Sequence, residues 1–115
     1  MNSIKDRQGR TLFACGGLQE KQLLESAALL GADLSGANLT GIRLRDASLS
    51  SARFRLADFS NTDLRGADLS FADVRGAIFQ GARFNGATRF AGLVFDGGEL
   101  EGIVYDNVPI SKIEI

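Results

Sequence analysis

Histidine is absent from this 115-residue chain, and cysteine occurs once, at Cys15. Without histidine there is neither a Ser-His-Asp nor a Cys-His catalytic arrangement, and the common zinc sites lose their ligand set. Cys15 could act as a nucleophile or as a redox-sensing thiol, but no base stands near it in the sequence to activate it. We therefore predict an unreactive thiol and a protein that is not an enzyme.

Carboxylates are the other side chains that could carry chemistry, because paired carboxylates serve in acid-base catalysis and bind metal ions. Five aspartates share one feature, the second position of a five-residue unit, and these are Asp33, Asp58, Asp63, Asp68 and Asp73. Recurrence at one position of a repeat favours a role in the fold. The glycines do not have the spacing of a phosphate-binding loop. We predict no metal, no cofactor and no catalytic residue.

The elements that carry these side chains are eleven unbroken five-residue units over residues 32–86. The third residue of each unit is Leu or Phe, apart from Val74, and the first residue is small in nearly all of them. Neither the helical period of 3.6 nor the strand period of 2 fits this pattern. A repeat this short buries its apolar residue only by coiling, so the chain is expected to turn a corner after each unit.

The units, such as Ala-Asp-Leu-Ser-Gly and Ala-Asn-Leu-Thr-Gly, resemble the pentapeptide-repeat family, whose motif is Ala-(Asp/Asn)-Leu-x-x. The resemblance implies an all-β solenoid, a right-handed quadrilateral β-helix with four units per coil and about four coils. Residues twenty apart would then lie above one another at the strand spacing of about 4.8 Å. Interior columns would contain Leu34, Phe54 and Val74; Leu39, Phe59 and Phe79; Leu44, Leu64 and Phe84; and Leu49 and Leu69.

Three segments are expected along the chain. Residues 1–31 comprise an N-terminal extended, hairpin-like segment and a capping α-helix from Gln19 to Leu30, because apolar residues there have helical spacing. Residues 32–112 form the repeat β-helix, with a register slip at Ala87, and residues 113–115 form a tail. After the slip, five degenerate units are expected to centre on Phe90, Phe95, Leu100, Tyr105 and Ile110.

Arginine rows are the candidate site for a protein partner. At the fourth position of the units, Arg45 is expected to stack on Arg65 and Arg55 on Arg75. Stacked like charges are mildly destabilising, which points either to an anionic partner or to neighbouring carboxylates such as Asp46. Outward apolar residues add to this surface. The candidate partner-binding residues are Arg45, Arg55, Arg65, Arg75, Phe71 and Ile78.

The C-terminal third is the candidate interface for a homodimer. Its apolar residues stand at outward positions or beyond the last complete coil, and an uncovered last coil leaves unpaired backbone groups at an edge. The candidate interface residues are Val94, Val104, Tyr105, Ile110, Ile113 and Ile115. A monomer remains an alternative, because Pro109 and Lys112 could blunt this edge.

The function predicted from these features is that of a non-catalytic structural or protein-interaction module with a partner of unknown identity. The resemblance also implies an alternative, a DNA-mimicking regulator or inhibitor of a DNA-handling enzyme such as a type II topoisomerase, because some pentapeptide-repeat proteins mimic duplex DNA and bind these enzymes. A short rod with a net charge of −1 and with arginines on its faces disfavours that alternative. No nucleic acid or membrane partner is expected, and a single cysteine is consistent with the cytoplasm.

Overall fold

The computed structural model describes residues 2–6, 11–15, 31–105 and 108–110, with side-chain exposure for residues 31–105. Its strands are short because each side of the coil pairs with its neighbours over only one or two residues. The strands are β1 (Asn2–Asp6), β2 (Thr11–Cys15), β3 (Ala37–Asn38), β4 (Arg83–Phe84), β5 (Ile103–Tyr105) and β6 (Val108–Ile110). The predicted capping helix lies outside the described residues.

Parallel pairing between residues twenty apart builds the coil. Asp33 pairs with Arg53, and Arg53 pairs in turn with Asp73. The N–H of Leu34 donates to the carbonyl of Arg53 at 2.7 Å, and the N–H of Arg53 donates to the carbonyl of Ala32 at 2.8 Å. Each coil therefore takes twenty residues, which is four units, and satisfies its backbone through the coil above and the coil below.

A tight turn follows each unit and determines which residue types fit its fifth position. The N–H of Ala37 donates to the carbonyl of Leu34 at 3.0 Å, and the same turn closes the following units. In the units from 32–36 to 77–81 the fifth residue lies between these groups with a positive φ, as at Gly81 (φ 74°). Glycine adopts this left-handed conformation without steric cost, which explains its frequency at the fifth position.

The interior is a dry stack of the third residues of the units. The columns expected from the sequence are all buried: Leu34, Phe54, Val74, Leu39, Phe59, Phe79, Leu44, Leu64, Phe84, Leu49 and Leu69. The rings of Phe59 and Phe79 stack in parallel with centroids 4.5 Å apart, and Phe54 meets Phe59 edge-on at 4.9 Å. Small first residues such as Ala57 are also fully buried, because only a small side chain fits beside the large one.

The pairing distance changes from twenty to twenty-one residues below the third side of the coil. Asp63 pairs with Arg83, whereas Asp68 pairs with Arg89. At the corner between these pairs, Oδ1 of Asn85 accepts from the N–H groups of Gly66 and Ala87, both at 3.0 Å. The side-chain amide oxygen of Asn85 thereby replaces the backbone carbonyl that accepts from the coil above at the other corners.

The last coil departs from the expected degenerate units. Leu93 and Leu100 are buried, but Phe95 is 37% exposed and is not an interior residue. The chain leaves the parallel path after Val94, which pairs with Asp73, and bends through residues 97–98. Parallel pairing resumes at β5, where Val104 pairs with Arg83. Leu100 and Ile103 still join the buried interior beyond the bend, but the five-residue spacing of the corners is lost.

Antiparallel strands border the coil at both ends of the chain. Strand β1 pairs with β2 and also with β3, where Lys5 faces Asn38. Strand β6 reverses direction and pairs with β5, so that Ile103 faces Ile110. Ile110 therefore does not continue the parallel coil as the centre of a further side. β6 covers the β5 backbone that an open last coil would expose.

Candidate interaction surface

The second-position aspartates have a local structural role. Oδ1 of Asp33 accepts from the N–H of Ser35 at 3.2 Å, and Oδ1 of Asp58 accepts from the N–H of Ser60 at 2.9 Å. The same bond recurs at Asp63, Asp68 and Asp73. The hydroxyl of Ser35, followed by its N–H, lowers the pKa of Asp33. These carboxylates are therefore engaged in turns of the coil, as their position in the repeat predicts.

Two of the four candidate arginines form ion pairs within their own units. Arg75 donates from Nε to Oδ1 of Asp73 at 2.9 Å and from Nη2 to Oδ2 at 2.7 Å. Arg65 makes the same two bonds to Asp63. Hydrogen bonds from Arg75 lower the pKa of Asp73. The neighbouring carboxylates thus stand two residues earlier in the chain, and the Asp-x-Arg spacing was the sequence signal for them.

The arginine rows lie on opposite faces of the coil. We define the first face by residues 32–36, 52–56 and 72–76, which carry Arg55 and Arg75. Arg45 and Arg65 belong to residues 42–46 and 62–66, two corners away. One rigid partner surface cannot contact both rows together. The structure therefore separates the predicted binding residues into two sets.

Arginines on the first face differ in how firmly they are held. Arg53 lies 4.0 Å from Asp33, with side chains 68% and 61% exposed, so this ion pair is weak. Arg55 is exposed, and within the described part of the chain it makes no hydrogen bond or close ion pair but attracts the Asp73 carboxylate at longer range. Arg75 is engaged by Asp73. Arg55 is consequently the guanidinium that a ligand can approach with least competition.

Large apolar side chains flank the first face at its two corners. Leu56 ends the middle row of the face and is 62% exposed, while Phe71 precedes the next row and is 64% exposed. Val94 continues the face below Asp73 and is also exposed. Ile78, predicted as part of the same site, lies on the adjacent face, where it pairs with Asp58. Phe71 and Arg55 thus border one surface, and Ile78 borders another.

Backbone strain accompanies the two exposed corner residues. Leu56 has φ 62° and Phe71 has φ 61°, a conformation that bulky residues adopt only at a steric cost. Their side chains lie over glycines of the next coil, because a Cβ on Gly76 would stand 2.7 Å from Cδ2 of Leu56 and one on Gly92 would stand 2.5 Å from the ring of Phe71. Neither the strain nor this overlap was read from the sequence.

Glu99 is a further site residue that sequence analysis missed. It is only 7% exposed, and its carboxylate accepts from the N–H groups of Gly76 at 3.0 Å and of Asp96 and Gly97 at 2.8 Å. Burial raises the pKa of Glu99, but the N–H donors outweigh burial and lower the pKa below its ordinary value. The carboxylate holds the bend that interrupts the parallel pairing between Val94 and β5. No sequence motif marks it.

The predicted dimer residues fall into three groups. Val104 and Tyr105 are half-buried in β5, between β4 and β6, and Ile110 stands in β6. Val94 lies on the first face, away from that small sheet. Ile113 and Ile115 lie outside the described residues.

Neither a metal-binding cluster nor a membrane-spanning helix occurs among the described residues. No cluster of three or more acidic or thiol side chains there could hold a metal ion. No helix among them has the length and apolar character needed to cross a membrane.

Sequence comparison identifies the repeats directly. A family model described as Pentapeptide repeats, with eight copies, matches residues 27–66 and 64–102. No curated protein shows significant similarity to the chain.

Solved structures of pentapeptide-repeat proteins are similar to this chain. The pentapeptide-repeat protein Rfr23 from the cyanobacterium Cyanothece 51142 is 24% identical, with a TM-score of 0.55 over 91% of this chain and 81% of its own. HetL, a pentapeptide-repeat protein involved in heterocyst differentiation regulation in the cyanobacterium Nostoc sp. strain PCC 7120, is 26% identical. That match has a TM-score of 0.49 and covers 76% of this chain and 50% of HetL. The likeness to Rfr23 and the twenty-residue pairing agree with a right-handed β-helix solenoid, and the match of the family model to residues 27–66 and 64–102 shows that the chain belongs to the pentapeptide-repeat family.

Proposed function

We propose that this protein is a non-catalytic interaction module, in which a rigid β-helix presents rows of side chains to a protein partner. Pentapeptide-repeat proteins are generally non-catalytic structural or interaction modules. The observation that carries the proposal is the contrast between a dry, fully paired interior and the large apolar side chains of Leu56 and Phe71 on the outside. Exposed apolar groups on a rigid scaffold are typical of surfaces that contact other proteins.

The accounting of polar groups supports a role without turnover. Asp33, Asp58 and Asp68 each accept the N–H two residues further on, and Asp63 and Asp73 do so while also holding an arginine. No buried side-chain nitrogen or oxygen in the described residues lacks a hydrogen-bond partner. A carboxylate poised for acid-base catalysis would have a raised pKa, whereas those of Asp33, Asp63, Asp68, Asp73 and Glu99 are lowered.

Affinity capture with matched variants tests the proposal. The bait is compared with a variant that carries Arg55→Ser and Arg75→Ser on the first face and with one that carries Arg45→Ser and Arg65→Ser on the opposite face. We expect a stoichiometric protein partner that is lost with one of the two variants and retained with the other. Partners held equally by both variants, or none above background, would contradict a role for the arginine rows.

A homodimer through the C-terminal coils is a separate part of the proposal. It is supported by exposed Val94 and Phe95 and by half-buried Val104 and Tyr105 in the small sheet at that end. Sedimentation equilibrium of the wild type and of Val94→Ser tests it, since Val94 is exposed and its loss leaves the interior intact. A wild type that sediments as a monomer at high concentration would dismiss the dimer.

Mimicry of DNA is not favoured by any described feature, because Arg53, Arg55 and Arg75 interrupt the first face. A DNA mimic presents rows of negative charge. A cytoplasmic location remains part of our proposal, and the single cysteine, which cannot form an internal disulfide, is its support.

A further inference from the structure

We infer that the first face binds a protein segment that presents a carboxylate between two apolar side chains. This inference rests on the proposed function and adds to it the surface and the chemistry of the partner. The surface consists of Arg53 and Arg55 in the middle row of the face, with Leu56 and Phe71 at its two corners.

Leu56 and Phe71 occupy their corners at a cost in free energy. The other non-glycine residues with positive φ are Asp46, Ser51 and Asn61, and Asp and Asn are among the side chains that tolerate this conformation best. Leu56 and Phe71 combine an unfavourable backbone conformation with exposure to water of more than half of their side chains. Glycine at either position would remove both costs. Strain that the fold does not require is a recurrent property of binding sites.

Leu56 and Phe71 border the same face. Leu56 is the corner at the end of residues 52–56, and Phe71 is the corner that leads into residues 72–76. The two residues therefore stand at opposite edges of one face, in successive coils. A chain segment crossing this face meets an apolar side chain at each edge. Arg53 and Arg55 lie between the two corners.

The first face carries a net positive charge. It holds Arg53, Arg55 and Arg75 against Asp33 and Asp73, so three positive charges less two negative charges leave a net of +1. Arg75 is hydrogen-bonded to Asp73, whereas Arg55 has only a longer-range attraction to the same carboxylate in the described residues. A guanidinium binds a carboxylate in a fork of two hydrogen bonds. The complementary group on the partner is therefore a carboxylate.

Other occupants fit the face less well. An isologous contact centred on Arg55 would bring this guanidinium against that of a second copy, and like charges would oppose each other. A nucleic acid phosphate backbone would meet Leu56 and Phe71 at the edges and Asp33 and Asp73 beside the arginines. A peptide carboxylate with apolar flanks matches both the charge and the two corners.

Selection from a phage-displayed library of random twelve-residue peptides tests the inference. Peptides selected on the wild type are synthesised, and their affinities are measured for Arg55→Ser, for the double variant Leu56→Gly/Phe71→Gly and for Asn61→Gly. The glycine substitutions keep the positive φ, so the fold is retained. Asn61→Gly is the matched control, because it makes the same backbone change at a corner that does not border the first face.

The expected result is enrichment of Asp or Glu flanked on each side by an apolar residue. We expect the affinity of these peptides to fall at least tenfold with Arg55→Ser and with the double variant, and to stay within twofold for Asn61→Gly. The Arg55 effect should also decrease with added salt, since it is electrostatic.

Each of the other results overturns the inference in a recognisable way. Peptides that bind both first-face variants as well as the wild type would refute this face while leaving the proposed function in place. No enrichment over an unrelated bait would count against both. Self-association abolished by Leu56→Gly/Phe71→Gly in sedimentation would identify a second copy as the occupant. Binding of a twenty-base-pair DNA duplex that is lost with Arg55→Ser would identify nucleic acid instead.

Discussion

Replacing Glu99 by glutamine should destabilise the protein by about 2–3 kcal/mol at neutral pH. One oxygen of the carboxylate, Oε2, accepts from Gly76 and Asp96, and the other, Oε1, accepts from Gly97. Glutamine has nearly the same shape but only one acceptor atom. Its best arrangement keeps two of the bonds in weaker, neutral form and turns its NH₂ group towards the N–H of Gly97.

The magnitude follows from those three bonds. A hydrogen bond to a charged group contributes about 1.5–3 kcal/mol and a neutral one about 0.5–1.5 kcal/mol, while an unpaired donor costs about 1–3 kcal/mol when it is buried. Asp96 and Gly97 are exposed, so water partly replaces the hydrogen bond that the N–H of Gly97 loses. The cost of this unpaired donor therefore lies in the lower part of its range. At equivalent corners elsewhere in the coil the acceptor is a backbone carbonyl. For example, the N–H of Leu56 donates to the carbonyl oxygen of Arg75 at 3.1 Å.

Guanidinium chloride unfolding measured by circular dichroism provides the assay. We expect the midpoint for Glu99→Gln to fall by roughly 0.5–1 M if the denaturant slope has the value typical of small proteins. Glu101→Gln is the matched control. Glu101 is exposed, and the same chemical change there should alter the free energy of unfolding by less than about 0.5 kcal/mol.

The pH dependence gives a second, independent reading. Because the folded pKa of Glu99 is lowered from 4.5, its carboxylate stabilises the fold above that pH and loses this contribution as the pH falls through the folded pKa. The difference between wild type and Glu99→Gln should therefore shrink on acidification. Both proteins share the lowered pKa values of Asp63 and Asp73, so the difference isolates Glu99. Equal midpoints at neutral pH, or a difference that does not depend on pH, would refute this account.

Three further substitutions test the interior and the corners, each by the change in free energy of unfolding. Phe59→Ala removes a ring from the interior stack and should cost about 3–5 kcal/mol; a loss under about 1 kcal/mol would mean that the axis is loosely packed. Thr62→Val keeps the shape of a fully buried side chain but removes the hydroxyl that donates to the carbonyl of Leu39 at 2.7 Å, so it should cost about 1 kcal/mol. A stabilising effect would show that this bond is unimportant. Gly81→Ala places a Cβ at φ 74° against Oδ1 of Asn61 and should cost about 1–3 kcal/mol, whereas a neutral effect would contradict the left-handed corner.

The interior of the coil was predictable because one property, side-chain size, decides it at every unit. Leu34, Phe54 and Val74 form a buried column as their spacing of twenty residues predicts. The separation of the arginine rows also follows from that spacing, since fourth positions ten residues apart lie two corners apart. The Asp-x-Arg spacing also predicts the ion pair between Arg75 and Asp73. Because the sequence analysis did not include this ion pair, it overstated the positive charge of the rows.

Features of the surface and of the last coil were not predictable in the same way. Asn85 and Glu99 act as substitutes for backbone carbonyls, but which N–H groups need a substitute is known only once the coils are stacked. The position of Phe95 depends on where the chain leaves its parallel path, and an apolar residue at the expected spacing does not reveal that departure.

The sequence by itself determined the period, the interior columns and the membership of the repeat family, because a narrow solenoid accepts large side chains only where the repeat places them. Tertiary structure decided the rest: the strained left-handed corners at Leu56 and Phe71, the exposed Arg55 between them, and the carboxylate of Glu99 at the end of the coil. These depend on which groups meet across coils. Contacts between residues twenty or more positions apart are set by stacking, and a five-residue pattern specifies only the side on which each residue stands.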